Sequence, residues 1–355
     1  MVLKVFPKYT AKGASSRYRT FQYIPFFEEG GFICKIYPFF DDKHIANINN
    51  NKRFNLLRYF KFILKRTFYV LFLKKTDIVF IEKELIPYFP PVLEKYLHIR
   101  NIKYILDYDD AIIHNYNLSE NKFIRKMLSE KIPMIQKKAS AVINGSNYLQ
   151  KLSLQNNKKS YFIPTSLNPD KYFSAENNGK KEFVIGWIGS ASTSKLILPI
   201  LEIIENFCVK FNIKIHLIGF DTSLLKSKNG EIYNFIEWNE DTEVTEISKF
   251  NIGISPSKDT PFARGKCAFK SIQYMACEKP VITSPIGANA DVVIHGKTGF
   301  HAKNTDDWFI YLEHLYKNPD LVKEMGKEGR KRVEQYYSVK NNYKKYIDIF
   351  NNLKK

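Results

Sequence analysis

The sequence predicts an α/β protein built from two Rossmann-like, doubly wound parallel-sheet domains facing a central cleft. Three observations carry this. Short apolar runs rich in Val, Ile and aromatic residues alternate with longer helix-like segments. The alternation stops at a stretch rich in Pro, Asn, Gly and Lys, residues 161–181, and then restarts. The chain has 355 residues, beyond the size at which one hydrophobic core usually keeps growing.

In the first half the strand-like runs are "VLKVF", "DIVFI", "KYILDY" and "SAVING". After the polar stretch come "EFVIGWIG", a helix near 195–211, then "IKIHLIGF", "YNFIEW" and "FNIGISP". A helix over "GKCAFKSIQYMA" follows, with Lys266 and Lys270 one turn apart on one face, and then "PVITSP" and "GFHA". Residues 320–352 read as helical. The expected boundaries are a domain over 1–168, a linker over 169–182, a second domain over 183–335, and a terminal helix over 336–355 packing back on the first domain.

Composition narrows the class. With 44% hydrophobic and 15% aromatic residues a large core is available, and disorder does not describe the chain. Cys34, Cys208, Cys267 and Cys277 are scattered without zinc-like spacing, as expected of reduced thiols in a cytoplasmic protein. "MVLKVFPKY" reads as a first strand and not a signal peptide, and the apolar run "FYVLFL" is far short of the ~20 residues of a membrane span. The net charge is +19 and uneven: residues 1–170 hold 28 Lys and Arg against 14 Asp and Glu, the remainder 27 against 22. Such a field attracts nucleic acid, anionic lipid or phosphate-bearing substrates alike. No RNA- or DNA-binding module is recognisable, so no nucleic-acid partner is expected. Residues 51–75 contain eight Lys or Arg and no acid, interleaved with aromatics. Two readings fit them, an interfacial helix on anionic lipid or a connector helix packed on the sheet.

Several clusters suit chemistry on an anionic ligand. In "IGWIGSASTSKL", Gly189 allows close backbone approach, and Ser190, Ser192 and Thr193 precede a helix whose electropositive start favours phosphate. Arg264, Lys266 and Lys270 concentrate cations where like charges repel, a broken local rule that a diphosphate would resolve. "LDYDDAI" ends a strand with Asp107, Asp109 and Asp110, carboxylates able to orient hydroxyls, act as bases or bind a metal. "KGASSRYRT" offers Gly13, Ser15, Ser16, Arg17 and Arg19 as an acceptor or phosphate loop on the cleft.

The segment "QYMACEKPVITSPIGANADVVIHGKTGF", continued by "KEMGKEGRKRVEQYYS", resembles the retaining glycosyltransferases of family 4, which have the GT-B fold. A looser likeness in "GASSRYR", "DYDDA" and "VINGSNYL" extends it over most of the chain. The resemblance implies an acceptor-binding first domain and a nucleotide-sugar-binding second one. It implies transfer of a hexose to an acceptor hydroxyl with retention, without metal or cofactor, in cell-surface polysaccharide or lipid-linked glycan synthesis. The enzyme is then expected at the inner face of the cytoplasmic membrane, on an anionic surface. Gln273, Trp238, Asn289 and Asp291 are expected to hold the nucleoside, and Asp109 or Asp110 to act on sugar or acceptor. One departure is plain: the family's two glutamates, eight positions apart, are here Gly265 and Gln273. The alternatives are a non-catalytic sugar-nucleotide-binding protein of the same fold and, behind it, a basic nucleic-acid-binding protein.

Overall fold

The computed structural model describes residues 1–49, 55–174, 182–225 and 230–353; residues 51–54 of the basic stretch and 175–181 of the expected linker lie outside them. The chain divides into two compact units. The first comprises Met1–Ser166, Arg264–Cys267 and Val339–Lys355, and the second Leu167–Ala263 and Ala268–Ser338.

The first unit holds a parallel sheet of β1 (Val2–Phe6), β2 (Ile33–Ile36), β3 (Ile78–Glu82), β4 (Lys103–Tyr108), β5 (Ala141–Asn144) and β6 (Ser160–Phe162), in the order β2-β1-β3-β4-β5-β6. Helices cover both faces, so the inner strands are apolar throughout. All five residues of β3 are buried. Successive side chains serve opposite cores: Val79 and Ile81 join Phe6, Leu106 and Val142, whereas Ile78 and Phe80 join Leu3, Val5 and Ile143. The helix Val339–Asn352 completes the second of these cores with Tyr346 and Phe350, both fully buried.

The second unit repeats the plan with β7 (Val184–Ile188), β8 (Lys214–Ile218), β9 (Tyr233–Ile236), β10 (Ile252–Ser255), β11 (Val281–Thr283) and β12 (Gly299–His301), in the order β12-β11-β10-β7-β8-β9. Its core joins Ile185, Trp187, Ile215, Leu217 and Ile254 to the helices Leu198–Phe211 and Thr305–Lys317. In both sheets the winding reverses once, between β1 and β3 and between β7 and β10. In doubly wound sheets, ligands bind where the carboxyl ends of such neighbouring strands diverge.

Three differences from the sequence reading stand out. β2 and β6 are edge strands absent from it; β6 (Ser160–Phe162) ends inside the stretch read as polar connector. The helix over "GKCAFKSIQYMA" does not exist as one element. Ala268 adopts φ 53°, in the left-handed region, so the helix begins at Phe269 and runs to Ala276. Lys266 and Lys270 therefore share no helical face. Finally, the helix Leu56–Leu71 turns Phe62, Arg66 and Val70 inward at four-residue spacing, but leaves a second apolar row exposed. Among the described residues, no helix is long and apolar enough to cross a membrane.

Candidate functional site

In the first unit, charged side chains gather at the carboxyl ends of β1, β3 and β4. β3 ends in Glu82, and Lys83 follows with φ 66°, a strained conformation for a residue with a side chain. This turn buries the lysine and carries its ammonium to Asp109 Oδ1 at 2.9 Å and Asp110 Oδ2 at 2.7 Å, just past β4. Ser15, in the helix Ala14–Arg19, donates to Asp109 Oδ2 at 2.5 Å, and its oxygen lies 3.1 Å from Glu82 Oε1. Ser16 is buried and accepts the Tyr9 amide at 3.0 Å, which fixes the loop that Gly13 opens.

The electrostatics follow from burial opposed by partners. Burial alone would push the Asp109 carboxyl up, but the Lys83 ammonium and the Ser15 hydroxyl outweigh it and hold it below the usual aspartate range. Burial costs Lys83 its charge, and Asp109 with Asp110 more than offset this, keeping the ammonium firmly protonated. Glu82 has no such surplus; burial raises its carboxyl, only partly countered by Lys83.

Arg19 is a correction. It does not reach outward as expected but lies fully buried, forked onto Asp107 through Nε at 2.9 Å and Nη2 at 2.6 Å, with Nη1 on the Ile163 carbonyl at 2.8 Å. Two residues on along a helix the direction reverses, so Arg17 and Arg19 cannot serve one surface; Arg17 lies over the Tyr18 ring. Asp107 is likewise removed from the acidic trio and serves the core, where Tyr346 also donates to it at 3.4 Å. The three carboxylates are thus divided between Arg19 and Lys83 and do not converge as a metal cage would require.

The segment Arg264–Cys267 rests on the same loop. The Cys267 thiol donates to the Asp109 carbonyl at 3.0 Å, and Ser146 Oγ donates to the Gly265 carbonyl at 3.3 Å. A Cβ on Gly265 would sit 2.4 Å from the Ala111 Cβ, so this position has no room for any side chain, a glutamate included. Arg264 is exposed and Lys266 half-buried on this segment.

In the second unit, β7 ends at Ile188, and the chain turns through Gly189 and Ser190 into a 3₁₀ helix, Ala191–Leu196. Ser190 caps it: its amide donates to Thr193 Oγ1 at 2.9 Å, and its hydroxyl lies 3.0 Å from that of Ser192. A Cβ on Gly189 would meet the Trp187 ring at 2.2 Å. Lys270, from the first turn of Phe269–Ala276, reaches this turn; its ammonium is 3.5 Å from Thr193 Oγ1 and 4.3 Å from the Trp187 ring centroid. Residues separated by some eighty positions in sequence thus converge at the reversal of the sheet.

The expected nucleoside set is only partly assembled. Gln273 does not face outward; it is buried and donates to Glu243 Oε1 at 3.3 Å and Tyr172 OH at 3.4 Å. Trp238, partly exposed after β9, donates through Nε1 to Glu243 Oε2 at 2.9 Å. Glu243 therefore ties Trp238 to Gln273. Asn289 is buried and accepts from Ser271 Oγ at 2.9 Å, while Asp291 is exposed and gives its carbonyl to Arg332. Sequence reasoning missed Lys83, Glu82 and Glu243. The first two had a signal, since "EKE" directly follows the apolar run "DIVFI", an abrupt charge at a strand's carboxyl end.

Residues 169–332 match the family described as Glycosyl transferases group 1. The architecture is GT-B. The structure resembles sucrose-phosphate synthase of Thermosynechococcus elongatus with a TM-score of 0.72 at 16% identity, covering 99% of each chain. It resembles HepE of Anabaena in complex with UDP-glucose equally, at 0.72 and 13% identity, again over 99% of each chain. The capsular polysaccharide biosynthesis glycosyltransferase CapM of Staphylococcus aureus is 27% identical over 206 residues, covering 55% of this chain and 49% of that protein. The chain thus spans about half the length of that curated relative.

Proposed function

We propose that this protein is a glycosyltransferase that moves a hexose from a nucleotide-diphosphate sugar to an acceptor hydroxyl with retention at the anomeric carbon. The observation that carries the reading is the meeting of Lys270 with the Gly189–Thr193 turn, inside the stretch that matches the group 1 family and at the point where its sheet reverses. A departing nucleoside diphosphate develops charge, and fixed cations and hydroxyls placed where it develops are the largest available catalytic contribution. Lys270 and the turn hold the diphosphate in this proposal. Arg264 and Lys266 add positive charge to the same leaving group, a role taken from the sequence. The bond from the anomeric carbon to the phosphate oxygen breaks as the acceptor oxygen attacks from the same face. A phosphate oxygen takes the acceptor's proton. Asp109 or Asp110 orients acceptor or sugar, with Lys83 fixing both. Because fixed cations neutralise the diphosphate, no divalent metal is needed.

The names of the relatives suggest where to begin. One neighbour was solved with UDP-glucose and one relative acts in capsular polysaccharide biosynthesis, so a uridine-diphosphate hexose is the first donor to try. A glycan or lipid-linked acceptor at the inner face of the cytoplasmic membrane is the proposed destination. The test is a panel of nucleotide sugars incubated with the protein in the presence of a chelator, read as slow donor hydrolysis. Lys270→Ala should lower kcat by about a hundred- to a thousandfold, the usual loss for one oxyanion contact, and Lys266→Ala should abolish transfer in a folded protein.

The packing of Gly265 against Ala111 favours one rival. At the place of the first glutamate in the pattern of the resembled family, this chain has no space for one, as a non-catalytic binder of sugar nucleotides also would. Binding of a donor without any turnover across the panel would establish that rival.

A further inference from the structure

We infer that the outer face of the helix Leu56–Leu71 docks on an anionic phospholipid bilayer. This deepens the membrane placement proposed above and rests on that reading for its purpose. The helix has two apolar rows. The inner one is packed, whereas Leu57, Phe60, Leu64 and Phe68 are 78%, 59%, 69% and 58% exposed. Four large apolar side chains at three- and four-residue intervals form one continuous stripe along the helix, not the scattered exposure normal on a soluble surface.

The chemistry beside the stripe selects the occupant. Lys61 and Lys65 are exposed one residue after Phe60 and Leu64, and no Asp or Glu occurs anywhere in residues 51–75. A second copy of the chain packed across a twofold axis would bring these lysines together with no acid on the helix to pair them. A nucleic acid would satisfy the cations and leave the apolar row in water. A bilayer bearing anionic headgroups satisfies both. Phe60, Leu64 and Phe68 enter the acyl boundary, and the lysines extend along the interface to phosphate. Arg58 and Arg66 are not available for this role: the first is paired with Asp41, and the second is buried, donating to the Pro7 carbonyl.

The experiment uses the full chain and vesicles of phosphatidylcholine with or without phosphatidylglycerol, read by co-sedimentation and light scattering. The wild-type protein should bind only the anionic vesicles, less so as salt rises. Leu64→Asp with Phe68→Asp, and separately Lys61→Glu with Lys65→Glu, should each lower the partition coefficient at least about tenfold. All four side chains lie on the surface, so the far-ultraviolet circular dichroism should not change. Equal binding to both vesicle types, binding unaffected by either double variant, or a wild-type dimer that Leu64→Asp with Phe68→Asp converts to monomer would overturn the inference. Donor hydrolysis measured without vesicles should be the same in these variants as in the wild type. A wild-type chain that binds anionic vesicles but turns over no donor would defeat the proposed function and leave this one standing.

Discussion

Lys83 governs the first unit's charged edge, since one ammonium in a left-handed turn pairs with two carboxylates just past the next strand. Lys83→Met leaves the largely buried Asp109 without its counter-charge, and breaking a buried pair from one side costs about 3 kcal/mol. Urea denaturation at neutral pH should show that loss. Its pH dependence has a defined sign. Asp109 lies below the usual aspartate range in the fold, so its stabilising contribution is complete above the unfolded-state value and disappears as pH falls through the folded one. The variant's deficit should therefore shrink on acidification; a deficit constant with pH would mean that packing, and not the ion pair, was lost. Gly265 is a second test at this scale. Gly265→Ala forces a Cβ to 2.4 Å from that of Ala111, and overpacking of this kind costs about 1–3 kcal/mol. Combining it with Ala111→Gly should recover part of the loss in thermal unfolding, because the two changes share one contact.

At the scale of elements, the sequence exposed what periodicity and composition encode. The inner strands were legible because parallel strands buried on both faces become short unbroken apolar runs. β2 was not, since its residues alternate between exposed and half-buried at a sheet edge, and β6 was hidden by its three-residue length beside Pro164. The break before Phe269 was invisible for another reason. Ala268 is a strong helix former by propensity, yet its backbone is left-handed, directly after Cys267, whose thiol is held by the Asp109 carbonyl. The Gly189–Thr193 turn was legible down to its residues, because Gly, Ser and Thr at a strand-to-helix junction have few other physical uses. Its link to Lys270 was legible only as an expectation of shared charge. Thr193→Val removes both the cap acceptor for Ser190 and the oxygen nearest Lys270. It should cost about 1 kcal/mol in stability and raise the donor KM, measured against the wild type in the hydrolysis assay.

At the scale of the molecule, the last helix belongs to the first unit's core although it follows the second in sequence. Tyr346 and Phe350 close against Tyr23, Phe27 and Phe80, with the Tyr23 and Tyr346 ring centroids 4.8 Å apart. Tyr346→Ala should destabilise the first unit by about 3–5 kcal/mol and lower that unit's transition in scanning calorimetry, leaving the second unit's transition in place. A single transition that shifts as a whole would show that the units unfold together.

The passage of the chain through Arg264–Cys267 gives the protein a built-in chemical clock. These four residues belong to one compact unit while their neighbours on either side belong to the other. Cys267 is buried there, its thiol pushed up to about 12 by burial and given to the Asp109 carbonyl. A covered, protonated thiol does not react with alkylating reagents until the segment lifts. In a Cys34→Ser background, which removes the most accessible of the four cysteines, the labelling rate at Cys267 counts the openings of that segment. A rate slowed by a bound sugar nucleotide would mean that the ligand clamps this segment in place.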